Sequence, residues 1–214
     1  MGGLDKTMAN LAGVPVLARS ILAVQESALV DEIVVVTKSE TIPAISDLCG
    51  EFNLYKVSKI IVGGETRVES SLLGMVEASP KTKILAVHDG ARPLLPRLVI
   101  DEVLRTAAEH PAAAPAVPVA DTVKLAEGGL VTRTPPRDTV FAVQTPQAFD
   151  ADLIKGALTD ALQKELPITD DCMAVEALGV PVVLTAGSPE NIKITTPVDL
   201  VKAEAILAAR KERK

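Results

Sequence analysis

Asp89 and Arg92 stand three residues apart where an apolar run ends, in Lys83-Ile-Leu-Ala-Val-His-Asp-Gly-Ala-Arg-Pro93. A carboxylate and a guanidinium at that spacing can together hold a sugar hydroxyl and a phosphate. They would serve equally well as a capped turn with a local ion pair. Three further sets have the same flavour. Lys6 precedes the first helical pattern. Gly63-Gly-Glu-Thr-Arg-Val-Glu-Ser70 leads from a strand pattern into a helix pattern. Lys193 sits between two isoleucines in Asn191-Ile-Lys-Ile-Thr195. A lysine in such a buried strand must be paired or face a cleft, unless its stem carries the charge out to solvent. All of these fall at or near junctions between predicted elements, and ligands of open α/β sheets bind beyond the carboxyl ends of the strands.

The elements that must position them alternate. Helix patterns cover Pro15 to Ser27, Glu40 to Phe52, Arg67 to Ala78 and Pro96 to Glu109. Strand patterns cover Glu32 to Thr37, Lys59 to Val62, Lys83 to Val87 and Ala112 to Val119. This rhythm predicts a mostly parallel sheet with right-handed crossovers. The strands around Ile33, Ile60 and Ile84 are apolar throughout and read as covered on both faces. The rhythm breaks between Asp121 and Gln147. Thr122 to Leu125 and Leu130 to Arg133 read as a hairpin joined through Gly128-Gly129, followed by Pro135-Pro136 and a run from Thr139 to Val143. A hairpin set into such a domain projects as an arm, and an arm with alternating apolar residues calls for a partner surface. Helices return at Ala151 to Gln163 and Asp171 to Leu178. A strand over Val180 to Leu184, the Asn191–Thr195 stretch and a last helix from Pro197 complete a single domain over residues 1–214, with its arm at about 121–140.

The bulk properties narrow the classes. The 214 residues are 48% hydrophobic but contain no Trp, one Tyr and three Phe. The core must therefore be built from Val, Leu, Ile and Ala, as in sheets covered by helices on both faces. A net charge of −6 argues against a general nucleic-acid binder, which needs a basic face. It leaves room for a small anionic substrate in a cleft. No apolar run reaches membrane-span length, and no secretory signal opens the chain. Cys49 and Cys172 have no metal-ligand spacing and read as free thiols, so a cytoplasmic location is expected.

A family resemblance joins these pieces. The stretches Asp5 to Val16, Gly63 to Ser70, His88 to Pro93, Asp121 to Lys124, Gln144 to Gln147, Thr169 to Asp171 and Asn191 to Thr195 occur in one order. The chain resembles the 2-C-methyl-D-erythritol 4-phosphate cytidylyltransferases of non-mevalonate isoprenoid synthesis over nearly its whole length. The resemblance implies a Rossmann-like three-layer sandwich of the nucleotide-diphospho-sugar-transferase type, with a mostly parallel sheet and a protruding β-arm. It also implies a homodimer through the arm and Mg²⁺ bound mainly through the CTP phosphates, with no protein metal ligands. Lys6 would contact the CTP phosphates, and Gly64, Glu65 and Ser70 would read the cytosine. Asp89 and Gly90 would also lie at the nucleotide. Asp89 would bind substrate hydroxyls and Arg92 the sugar phosphate. Thr122 and Arg137 would reach the methylerythritol phosphate, across the dimer or within one chain. Thr145 and Lys193 would face the same substrate, with Lys6 and Lys193 the catalytic pair.

Three departures stand out. Asp5 precedes Lys6 where the family usually has proline, and Glu65 stands where aspartate is common. The family's opening strand and arginine-bearing, glycine-rich loop are missing before Gly2-Gly3, so the native polypeptide is expected to extend upstream. Two other readings share these residues. One is a sister cytidylyltransferase acting on ribitol 5-phosphate or another polyol phosphate. The other is a non-catalytic nucleotide-binding module.

Overall fold

The structure is a computed structural model and describes residues 6–212. Strands β1 (Asn10–Leu11) and β2 (Val14–Pro15) form a tight hairpin ahead of helix α1 (Val16–Gln25). Gly13 closes it in the left-handed region, at φ +84°, where a side chain would be strained. The alternating part follows as β3 (Ile33–Thr37), α2 (Ile42–Glu51), β4 (Val57–Val62), α3 (Arg67–Glu77), β5 (Ile84–Val87), α4 (Arg97–Glu109) and β6 (Ala112–Pro118). The arm is β7 (Leu125–Glu127) and β8 (Leu130–Arg133). The chain returns through β9 (Phe141–Val143) and β10 (Gln147–Asp150) to α5 (Ala151–Gln163), α6 (Asp171–Ala177), β11 (Val183–Ala186) and α7 (Pro197–Glu212).

The main sheet has the order β11-β6-β10-β5, with β9 also paired to β6. Strand β11 runs parallel to β6, and β10 runs antiparallel to both β5 and β6. Strands β5, β6 and β11 therefore share one direction, while β3 and β4 form a parallel pair of their own. The fold is α/β and Rossmann-like, and the strands that belong to βα units are parallel. Strands β9 and β10 are the reversed members, and no strand was expected at β10. The arm takes the place of a crossover helix between β6 and β10, so the chain comes back alongside in the opposite sense.

Period-two alternation sends the sheet's residues to two helical layers. Leu85, Ala112, Ala114 and Phe149 pack with Val68 and Met75 of α3 and with the buried faces of α5 and α6. Ala113 and Ala148 turn the other way, onto Val99, Ile100, Val103 and Leu104 of α4. The small side chains of β6 let both layers approach closely. Phe149, completely buried, fills the space those alanines leave.

Four details differ from the sequence reading. The first arm strand starts at Leu125, so Thr122 to Lys124 precede it. The turn is the expected one, with φ of +56° and +83° at Gly128 and Gly129, the signature of a tight hairpin. Asn191 to Thr195 is an irregular loop rather than a strand. The strand expected at Val180 to Leu184 runs from Val183 to Ala186. Strands β3, β4 and β5 are largely half-buried rather than covered on both faces. Among the described residues β3 pairs with β4 and β5 with β10, and a cavity of about 1270 Å³ lies between β3 and β5, lined by both. The expectations for Gly2-Gly3 and for anything upstream lie outside the described residues.

Phe149→Ala should destabilise the fold by about 3–5 kcal/mol, the usual cost of emptying a fully buried aromatic site. Urea denaturation should show the midpoint falling with the slope unchanged.

Candidate active site

The carboxyl end of β5 gathers the charged residues. Asp89 Oδ2 lies 3.1 Å from Lys193 Nζ and 3.2 Å from Arg92 Nε. Burial opposes the Asp89 charge, but Lys193 and then Arg92 outweigh it and hold the carboxyl below its ordinary value. The pairing of residues 89 and 92 is thus a local ion pair, as the spacing allowed, but it is part of a larger cluster. Lys193 arrives from 104 positions along the chain and is 43% exposed, so its ammonium pairs with Asp89 while keeping a face open to solvent.

Thr145 and His88 position Asp89. The Asp89 backbone N–H donates to Thr145 Oγ1 at 3.0 Å. His88 Nε2 lies 3.2 Å from the Arg92 carbonyl, an acceptor only, so Nε2 carries the proton. Neutral His88 then accepts at Nδ1 from the Thr145 hydroxyl, 3.0 Å away. The buried Thr145 hydroxyl donates to one of these partners and accepts from the other, so it orients the Asp89 loop. Gly90 gives its carbonyl to Ser20 Oγ at 2.8 Å. A Cβ at Gly90 would come within 3.0 Å of Leu17, so glycine lets the loop pack onto α1.

The Gly63–Ser70 turn lines the same cavity as His88, Asp89 and Gly90. Thr66 caps α3 by accepting from the Glu69 N–H at 3.1 Å. Glu69 reaches back to accept from the Glu65 N–H at 2.8 Å, a variant of the capping box. Ser70 Oγ accepts from the Gly64 N–H at 3.1 Å and donates to the Thr66 carbonyl at 2.9 Å. A Cβ at Gly63 would meet Ser70 Oγ at 2.8 Å, so Ser70 would have to shift to admit a larger residue there. Ser70 thus shapes the turn, and the exposed Glu65 marks its outer end.

Lys6 lies in a turn, half-buried. Its neighbour Thr7 lines the cavity and accepts through its carbonyl from Leu17 N–H at 2.8 Å, which fixes the turn against the start of α1. Thr122 and Arg137 meet at the root of the arm, where Arg137 Nη2 donates to Thr122 Oγ1 at 3.1 Å. They line a separate cavity of about 180 Å³ with Val119, Val123 and Pro135. Within one chain they are not brought to the Asp89 cluster.

Several polar residues around the site were not singled out beforehand. Arg67 pairs with Asp171, whose side chain is fully buried. Gln147, also buried, donates to Asp170 Oδ2 at 2.8 Å and accepts from the Asp171 and Cys172 N–H groups. These bonds tie the helix that follows the glycine turn to β10 and α6. The Thr169-Asp170-Asp171 and Thr145-Pro146-Gln147 stretches carried the signal, but what each touches is a matter of tertiary packing. Burial raises the Cys172 thiol well above its ordinary pKa, which leaves it an inert core residue.

A Rossmann-like sheet with a glycine turn at one strand end, and with Lys, Arg and Asp at the next, defines a nucleotidyltransferase-type site. The sequence profile of the IspD family, 2-C-methyl-D-erythritol 4-phosphate cytidylyltransferase, matches residues 1–209. The chain belongs to that family. A 2-C-methyl-D-erythritol 4-phosphate cytidylyltransferase of Pelotomaculum thermopropionicum is 45% identical over 210 residues, covering 97% of this chain and 88% of that protein. Its counterpart in Desulforamulus reducens is 43% identical over 213 residues, covering 97% and 89%. Among solved structures, 4-diphosphocytidyl-2C-methyl-D-erythritol synthase from Anaerococcus prevotii superposes with a TM-score of 0.87 at 30% identity, covering 93% of this chain and 88% of that one. The 2-C-methyl-D-erythritol 4-phosphate cytidylyltransferase of Thermus thermophilus gives 0.78 at 34% identity, covering 94% and 92%.

The histidine beneath the site makes stability depend on pH. Burial lowers the His88 pKa from 6.5 to about 4, against the opposing help of the Arg92 carbonyl. Between those values the unfolded chain binds a proton that the folded chain refuses. Stability therefore falls as pH drops from about 6.5 towards 4 and levels off below. His88→Gln, which takes up no proton there, should flatten that slope in denaturation curves measured across the range.

Proposed function

We propose that this chain transfers the cytidylyl group of CTP to 2-C-methyl-D-erythritol 4-phosphate. A phosphate oxygen of the acceptor forms a bond to the α-phosphorus in line, the bond to the bridging oxygen breaks, and pyrophosphate leaves with the electron pair. The observation that carries the reading is the meeting of Asp89, Arg92 and Lys193 beside the Gly63–Ser70 turn in a member of this family. No protein nucleophile is required. Catalysis comes from holding two anions together and neutralising the charge that builds up between them. Lys193 supplies a compact positive charge at the transferring phosphate, with Lys6 on the triphosphate side. Asp89 orients both cations and receives substrate hydroxyls, and Arg92 holds the sugar phosphate. The Gly64–Ser70 turn brings backbone groups close to a small base with no aromatic platform.

Mg²⁺ belongs to this reading through the nucleotide. The phosphate oxygens of CTP would carry the ion, as is usual for Mg²⁺. When bound it would neutralise charge on the triphosphate.

The arm supports a homodimer. Leu130 is 76% and Val131 61% exposed on a hairpin with no buried residue, a surface that a second copy would cover. Arg137 and Thr122 would then complete the neighbour's substrate site. Among the described residues no helix is long and apolar enough to cross a membrane. We place the reaction in the cytoplasm, where the free thiols of Cys49 and Cys172 persist reduced. Use of ribitol 5-phosphate or loss of catalysis is not favoured, since the relatives at 39–45% identity are methylerythritol phosphate enzymes by name.

Pyrophosphate release with CTP, Mg²⁺ and a panel of polyol phosphates tests the activity. Methylerythritol phosphate should be the preferred acceptor and UTP a poor donor, because an unpaired polar group in a buried base site is costly. Equal turnover of both nucleotides would overturn the base-site reading. Light scattering at micromolar concentration should give a dimer, and a fully active monomer would remove the role assigned to the arm.

A further inference from the structure

Lys193 rides on a stretch, Gly187 to Thr195, that contains neither helix nor strand. A lysine stem is flexible, so the place of its backbone decides where the ammonium can work. Two buried amide side chains fix that backbone. Gln144 pairs with Ser188 in both directions: its Nε2 donates to the Ser188 carbonyl at 2.8 Å, and its Oε1 accepts from the Ser188 N–H at 3.2 Å. Asn191, fully buried, donates through Nδ2 to the Thr145 carbonyl at 2.9 Å and to Gln144 Oε1 at 3.3 Å. Its own carbonyl accepts from Arg92 Nη1 at 2.7 Å.

The approach is close. A Cβ at Gly187 would come within 2.9 Å of both the Ala116 backbone and Gln144 Oε1. Beyond the lysine, the Ile194 N–H donates to the Ala91 carbonyl at 2.8 Å, and the Ile194 side chain is buried with Leu11, Val16 and Leu94. The loop is thus held at both ends of the lysine. On one side are the two amides and on the other the buried isoleucine. The amides also join it to Thr145, which orients Asp89.

We infer that Gln144 and Asn191 are positioning residues that hold the Lys193 backbone in register with Asp89, so that the ammonium meets the transferring phosphate. This rests on the proposed role of Lys193. Bonds between buried amides and backbone are lost whole when one partner goes, because nothing replaces them out of water.

The test is a double-mutant cycle on the full chain, read by pyrophosphate release with CTP and methylerythritol phosphate. Lys193→Ala should lower kcat by roughly 100-fold, the usual loss for one preorganised contact. Asn191→Ala should lower kcat at least tenfold, with KM for CTP within twofold. In the Lys193→Ala background, Asn191→Ala should cost less than twofold further, because its effect passes through the lysine. Gln144→Met, similar in length and without hydrogen bonds, is the second variant and should behave alike. Melting curves establish that each variant is folded at the assay temperature. Wild-type kcat in Asn191→Ala and Gln144→Met, or full losses that multiply with Lys193→Ala, would overturn the positioning role alone. Unchanged kcat in Lys193→Ala would overturn the role of Lys193 and the positioning role with it.

Discussion

A partly buried carboxylate needs its counter-charges, and much of this molecule is arranged to supply them to Asp89. Lys193 and Arg92 lie within 3.2 Å of the same oxygen. Removing one such partner would leave charge on a partly buried carboxylate uncompensated. The constraint reaches outward. Arg92 must also bond the Asn191 carbonyl, Asn191 must bond Thr145, and Thr145 must accept from the Asp89 N–H. The cluster is a closed ring of contacts through three separate stretches of chain.

That ring explains why the fold tolerates a reversed strand. Strand β10 begins at Gln147, directly after Gln144 and Thr145. Its antiparallel entry brings that segment to the same sheet end where β5 delivers His88 and Asp89. The arm that precedes it costs the domain a crossover helix and exposes apolar side chains. In return the site gains a segment that contacts the Lys193 loop, the Asp89 loop and, through Gln147, helix α6. The pairing of Arg67 with the buried Asp171 anchors the glycine turn from the other side. Two ligand-facing loops are thus braced by interior polar bonds rather than by their own secondary structure.

Within the sequence, residue types and spacing determined a good deal. The alternation from Ile33 to Pro118 was legible because apolar runs with strand length and amphipathic runs with helix length differ in period. The Gly128-Gly129 turn was legible because both positions need positive φ. Asp89, Arg92 and Lys193 were legible as candidates because charges beside buried apolar residues demand an explanation.

Tertiary structure alone decided the rest. Strand β10 is four residues long, too short for a period to declare itself, and its direction depends on where the arm returns the chain. Asn191 to Thr195 has the composition of a strand, yet its polar groups are spent on Gln144, Thr145, Arg92 and Ala91, so it stays a loop. Thr145 and Ser70 carry hydroxyls suited to a ligand, but packing turns them onto His88 and the glycine turn. Which partner a polar side chain finds depends on residues distant in the chain and near in space. Local sequence encodes the propensity of each element. It does not encode which buried donor will meet which acceptor once the layers close.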